Sequence, residues 1–105
     1  MADIWVTRFK AEALPAIRAA FKPERVIVFG SRVAGNARPD SDLDVIVVSS
    51  AFAGTRFLGR MARVLEVVRF PKHIDYLCYT PEEFARIQST SSVVSDAMRN
   101  HLEVA

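Results

Sequence analysis

Cysteine is nearly missing from this chain. Cys78 stands alone, which excludes an internal disulfide and a cysteine-based zinc site; set within IDYLCY, it reads as a small buried hydrophobe. No apolar run approaches the roughly 20 residues needed to cross a bilayer. The opening MADIWVTRFK carries charges where a secretory signal needs an apolar core, so the expected location is the cytoplasm. A large excess of one charge is also lacking: the formal net charge is +2 with a pI near 9.0, too small to argue for a nucleic-acid partner. Low-complexity tracts, internal repeats and linkers are absent from the sequence. What remains is 105 residues, half of them hydrophobic, enough for one domain over 1–105 with a single core and too few for two.

Apolar residues Ile4, Phe9, Ala13, Leu14, Ile17, Ala20 and Phe21 recur at helical spacing and predict an opening helix, with Pro15 an awkward presence inside it. Arg25–Phe29 (RVIVF) is a β-branched run suited to a buried strand. Gly35, Asn36 and Pro39 then mark a loop, and Leu43–Val48 (LDVIVV) is a second strand whose near-continuous apolar character predicts cover on both faces. Phe57–Phe70 carries one apolar stripe, with Arg56, Arg60 and Arg63 on another side as a solvated ridge. His73–Tyr79 is a third, alternating strand, and Thr80 caps a helix that begins Pro81-Glu82-Glu83, where the helix dipole favours acids. A last helix is expected from about Ser92, with Val94, Ala97, Met98, His101 and Leu102 on one side. The fold class is therefore α/β in the α+β sense: a small mixed three-stranded sheet backed by helices.

The chemistry concentrates in FGSRVAGNARPDSDLDVIVV, residues 29–48. Side chains two apart on a strand share a face, which sets Asp42 beside Asp44. Two carboxylates about 4 Å apart repel by roughly 4 kcal/mol at an effective dielectric near 20, a cost that a divalent cation removes. Asp75 is a third acid in an otherwise apolar strand, and a neighbouring strand can bring it to the same face. Three converging carboxylates form a hard-oxygen site suited to Mg²⁺ or Mn²⁺. Gly30 allows a sharp turn and close approach of backbone to a ligand, and Ser31 adds a hydroxyl donor for phosphate oxygens. Arg32 reads equally as a charge-assisted phosphate contact or as surface charge. Together these residues point to in-line displacement at phosphorus with two metal ions.

Gly30-Ser31, ten residues, then Asp42-Leu43-Asp44 resembles the signature of the DNA polymerase beta nucleotidyltransferase superfamily. The flanks GSRVAG and SDLD, and the short length, resemble its minimal nucleotidyltransferase branch, and HIDYLCYTPEEF resembles that branch's third-acid strand and following helix. The resemblance implies a nucleotidyltransferase fold, with Gly30 and Ser31 binding the triphosphate of ATP, Asp42 and Asp44 binding two Mg²⁺ ions, and Asp75 completing the catalytic metal site and accepting a proton. It also implies a partner. The chain ends soon after the core, and in the minimal branch the acceptor is commonly a HEPN toxin, so the implied activity is an antitoxin that transfers AMP to a toxin tyrosine. Two further readings stand beside it: a small-molecule nucleotidyltransferase of the aminoglycoside-modifying type, and a non-catalytic module that neutralises a partner by covering it. His73 and His101 lack metal-ligand spacing to each other or to Cys78, and Asp40 reads as solvated. Trp5, Phe9, Val94, Met98 and Leu102 read as core, with any residual apolar edge a partner or dimer surface.

Overall fold

The computed structural model describes residues 3–104. Helix α1 (Ile4–Arg8) passes through one π-helical turn, Phe9–Ala13, into α2 (Leu14–Phe21). Pro15 accounts for the wide turn: it has no N–H to donate, and its ring would strike the carbonyl four residues back, so the ladder loosens just ahead of it. Asp3 caps the start, its carboxylate accepting from the N–H groups of Trp5 and Val6 at 2.8 and 3.3 Å. Strand β1 (Arg25–Phe29), a single short helix α3 (Ser31–Ala34) and strand β2 (Leu43–Val48) follow. After a 3₁₀ turn at Ser50–Phe52 come α4 (Phe57–Val67), β3 (Ile74–Tyr79), α5 (Pro81–Ile87), α6 (Ser92–Ala97) and β4 (His101–Glu103).

The sheet has four strands in the order β3-β2-β1-β4. Strand β2 runs antiparallel to β1 and parallel to β3, and β4 runs antiparallel to β1. The expected three strands are all present; the fourth is a correction. Helical spacing suggested that the last helix continues through Leu102, but it ends at Ala97, and His101–Glu103 instead pair with the free edge of β1. The Arg25 guanidinium bridges the Glu103 carboxylate, and the Val104 N–H donates to the Val26 carbonyl at 2.9 Å. Leu102, expected in the core, is 41% exposed.

The two faces of the sheet divide the core. Val26, Val28, Leu43, Val45, Val47, Ile74, Tyr76 and Cys78 pack with Phe9, Ile17, Phe52 and Val64 into the larger cluster. On the other face Ile27, Ile46 and Val48 pack with Phe84, Val94 and Ala97. The same alternation that buries Ile46 and Val48 puts Asp44 at the head of their row, at the end of that face where burial gives way to partial exposure. Both faces of β2 are thus covered for most of its length, and the functional residues occupy the uncovered end.

The arginine ridge is a second correction. Arg60 is 5% exposed and grips Glu83 with both terminal nitrogens while donating to the carbonyls of Thr55 and Cys78. Arg63 donates to the Ala51 carbonyl and the Thr55 hydroxyl, both at 2.9 Å. Only Arg56 is solvated. Glu83 also accepts from the Thr80 N–H at 2.9 Å, closing a capping box at the start of α5. One carboxylate therefore joins the cap of α5 to α4.

Candidate active site

The register between β2 and β3 builds the site. Asp44 is aligned with Asp75 across the parallel pair, and Phe29, the residue before Gly30, is aligned with Asp44 across the antiparallel pair. Asp42 lies just ahead of β2 and follows its two-residue alternation. All three acids and the Gly30 turn therefore meet at one end of one face, as the spacing predicted for Asp42 and Asp44 and as only the pairing could decide for Asp75.

Gly30 has φ 86° and ψ −162°, a backbone conformation closed to side chains of ordinary handedness. A Cβ placed there would run into the Asp44 carboxylate, whose Cγ would lie 3.3 Å away. The glycine is thus required twice, for the turn and for the carboxylate packed against it. Ser31 opens α3, whose N-terminus takes no side-chain cap. The first N–H groups of that turn belong to the set that a short helix leaves without backbone partners.

Electrostatically the site is an uncompensated cluster. Asp42 and Asp75 are exposed and Asp44 is half-buried. Burial, then the charges of Asp75 and Asp42, push the Asp44 carboxyl above the ordinary aspartate range. Among the described residues no lysine or arginine pairs with any of the three; the one ring beside them is His73, whose Nε2 is hydrogen-bonded to Asp75 Oδ1 at 2.9 Å. One donor atom from each of Asp42, His73 and Asp75 can be chosen so that all lie within 4.8 Å of one another. The donor set and its unneutralised charge fit divalent cations. Sequence spacing had set His73 aside, because its distance to His101 and Cys78 carries no ligand pattern. The signal that finds it is the strand alternation, which puts His73 on the same face as Asp75 two residues on.

Arg32 is placed differently from the phosphate-contact reading. It is buried, its Nε donates to the Ser41 carbonyl at 2.8 Å, its Nη1 to the Asp3 carboxylate at 2.9 Å, and its Nη2 to the carbonyls of Arg38 and Pro39 at 3.2 and 3.0 Å. With its donors committed to the loop that leads into Asp42, Arg32 acts as a clamp that positions the acids rather than as a ligand to phosphate. Beside Gly30 a cleft of about 390 Å³ opens between Phe29, Gly30 and Ala34 on one side and Val93, Asp96 and Asn100 on the other.

A Gly-Ser turn locked against one of three aspartates at the open end of a mixed sheet is the arrangement expected of a nucleotidyl-transferring enzyme. Residues 10–102 match the nucleotidyltransferase domain family, and the chain belongs to that family, whose members use a nucleoside triphosphate and a divalent metal. Among solved structures, a candidate nucleotidyltransferase from Sulfolobus solfataricus is similar over 95% of this chain and 78% of its own, with a TM-score of 0.66 and 21% identity. BolA1 from Arabidopsis thaliana is similar over 79% of this chain and 98% of its own, with a TM-score of 0.55 and 16% identity. At these identities the two structures speak to fold alone. No curated protein matches the chain. No helix among the described residues is long and apolar enough to cross a membrane.

Proposed function

We propose that this nucleotidyltransferase transfers AMP from ATP to a hydroxyl, a tyrosine, of a partner protein of the HEPN toxin type, and that it serves in the cytoplasm as the antitoxin of that pair. The observation that carries the reading is the close approach of Gly30 to the Asp44 carboxylate, which sets the turn read as phosphate-binding directly against the acid cluster. Exposure of Asp42 and Asp75 supports a macromolecular acceptor, since a hydroxyl on another protein's surface can reach an open site.

In this reading Ser31 and the N–H groups of the turn hold triphosphate oxygens. Asp42, Asp44 and Asp75 would hold the divalent ions, Mg²⁺ or Mn²⁺, which when bound would neutralise the triphosphate and acidify the attacking hydroxyl. Asp75 takes the hydroxyl proton as the acceptor oxygen attacks the α-phosphorus, and the bond to pyrophosphate breaks on the opposite side. The cleft beside Gly30, about 390 Å³ in volume, is large enough for part of a nucleotide. Phe29, Ala34 and Val93 give it an apolar wall, and Asp96 and Asn100 give it polar partners.

The test mixes the purified protein with the product of the neighbouring gene, ATP and Mg²⁺, and weighs both chains intact by mass spectrometry. Added mass in AMP units on the partner, lost without metal or in the Asp42→Asn/Asp44→Asn variant, is the expected result. A stable complex with no added mass would replace transfer by steric neutralisation. AMP found only on a small-molecule acceptor such as an aminoglycoside would replace the protein acceptor.

A further inference from the structure

The acid cluster contains a donor that an oxygen-only magnesium site has no use for. His73 stands two residues before Asp75, so its ring and the carboxylate share a face. Its Nε2 is 2.9 Å from Asp75 Oδ1, and both side chains are more than half exposed, at 58% and 52%. A donor atom of Asp42 completes a trio within 4.8 Å. The separation of His73 from Asp75 is that of a hydrogen bond between the two side chains, and it also matches the ~3 Å spacing of adjacent donors around an octahedral ion with bonds of about 2.1 Å. Lys72, the nearest cation in sequence, has its ammonium 5.2 Å from the centre of the Trp5 ring. Solvent exposure leaves the ring able to exchange its hydrogen bond with Asp75 for an ion shared with the two carboxylates.

We infer that His73 is a ligand of the metal site and biases it toward Mn²⁺, or another first-row ion that accepts imidazole, over Mg²⁺. The inference rests on the reading of Asp42, Asp44 and Asp75 as metal ligands. Mg²⁺ takes oxygen donors and retains its waters, gaining little from an imidazole, whereas first-row ions further along the series gain a bond. His73 then sets which ion occupies the position shared by Asp42 and Asp75. The half-buried Asp44, against Gly30 and outside the trio, is left to the oxygen-only position.

The experiment uses the whole chain with MnCl₂ alone. Electron paramagnetic resonance counts bound Mn²⁺, competition with MgCl₂ gives the ratio of affinities, and electron spin-echo modulation detects a ¹⁴N nucleus bonded to the ion. The expected result is nitrogen modulation in the native protein that vanishes in His73→Ala and His73→Gln. Mn²⁺ affinity should fall at least about tenfold in both variants, no less than the loss of an outer-shell partner costs, while Mg²⁺ affinity changes less than about twofold. Bound Mn²⁺ that is lost in Asp42→Asn but shows no nitrogen modulation and no change in ion ratio on substituting His73 would overturn the inference and leave the acid site standing. Failure of the native protein to bind either ion would overturn both.

Discussion

Replacing Gly30 by alanine tests the geometry of the site most directly. Two separable costs arise. The first is backbone strain, because φ 86° with ψ −162° is a region that only glycine occupies freely; a residue with a Cβ held there costs about 1–3 kcal/mol. The second is steric, because the new Cβ meets the Asp44 carboxylate, with the Asp44 Cγ at 3.3 Å and Cβ at 3.6 Å. Asp44 cannot retreat along the strand without breaking its alignment with Asp75, so the carboxylate must swing away from the cluster or the turn must open. A total of about 2–4 kcal/mol follows, which in a domain of this size lowers the melting temperature by roughly 10–30 °C. The assay is a double-mutant cycle of thermal melts on the native chain, Gly30→Ala, Asp44→Ala and the double variant. With Asp44 truncated the steric part disappears and only strain remains, so Gly30→Ala should cost at least about 1 kcal/mol less in that background. Equal cost in both backgrounds would refute the contact between turn and acid. No cost in either would refute the strained turn itself. MgATP binding should fall in Gly30→Ala even below the melting transition, because the displaced carboxylate no longer faces Asp42 and Asp75.

Arg32→Lys keeps the charge but cannot reproduce a fork that serves Asp3 and three carbonyls; a loss of about 2–3 kcal/mol is expected by urea unfolding, with hydrogen exchange rising first in the loop 36–42. Glu83 is held down to about 2 from an ordinary 4.5, chiefly by its bond to Arg60. A depressed carboxylate contributes stability that is complete above its unfolded value and lost as pH falls through the folded one. Acid unfolding between about pH 4.5 and 2 should therefore flatten in Glu83→Gln. Because the bond joins a buried guanidinium to a carboxylate that is 31% exposed, the loss near neutral pH is about 2 kcal/mol, the scale of a hydrogen bond to a charged group. Tyr76 is 2% exposed and its hydroxyl has no hydrogen-bond partner among the described residues. Tyr76→Phe should leave stability unchanged or raise it by up to about 1 kcal/mol in thermal melts, since an unpaired buried hydroxyl is removed with little change of shape; a clear loss would show that the hydroxyl is satisfied in solution.

Much of this molecule was legible in one dimension. Alternation within Leu43–Val48 and Ile74–Tyr79, the cap at Thr80 and the glycine at position 30 depend on neighbours a few residues away, so local pattern carries them. The spacing of Gly30-Ser31 to Asp42 and Asp44 belongs to a single strand-loop-strand unit, and its chemistry could be read for the same reason. Where the sequence reading went astray, the deciding partner was distant along the chain. Arg60 looked like a solvated helix face because Glu83, 23 residues further on, is invisible to helical periodicity. Arg32 looked free because its acceptors are backbone carbonyls of a loop and the carboxylate of Asp3. His101 and Leu102 looked helical because the open edge of β1 that captures them lies more than seventy residues earlier. The sequence by itself determined which residues could carry the chemistry, since hard carboxylates and a flexible glycine are properties of side chains. Only the tertiary structure decided their company: strand register set Asp75 beside Asp44 and brought His73 to the same face, because pairing between strands is a long-range choice made by the burial of the whole sheet.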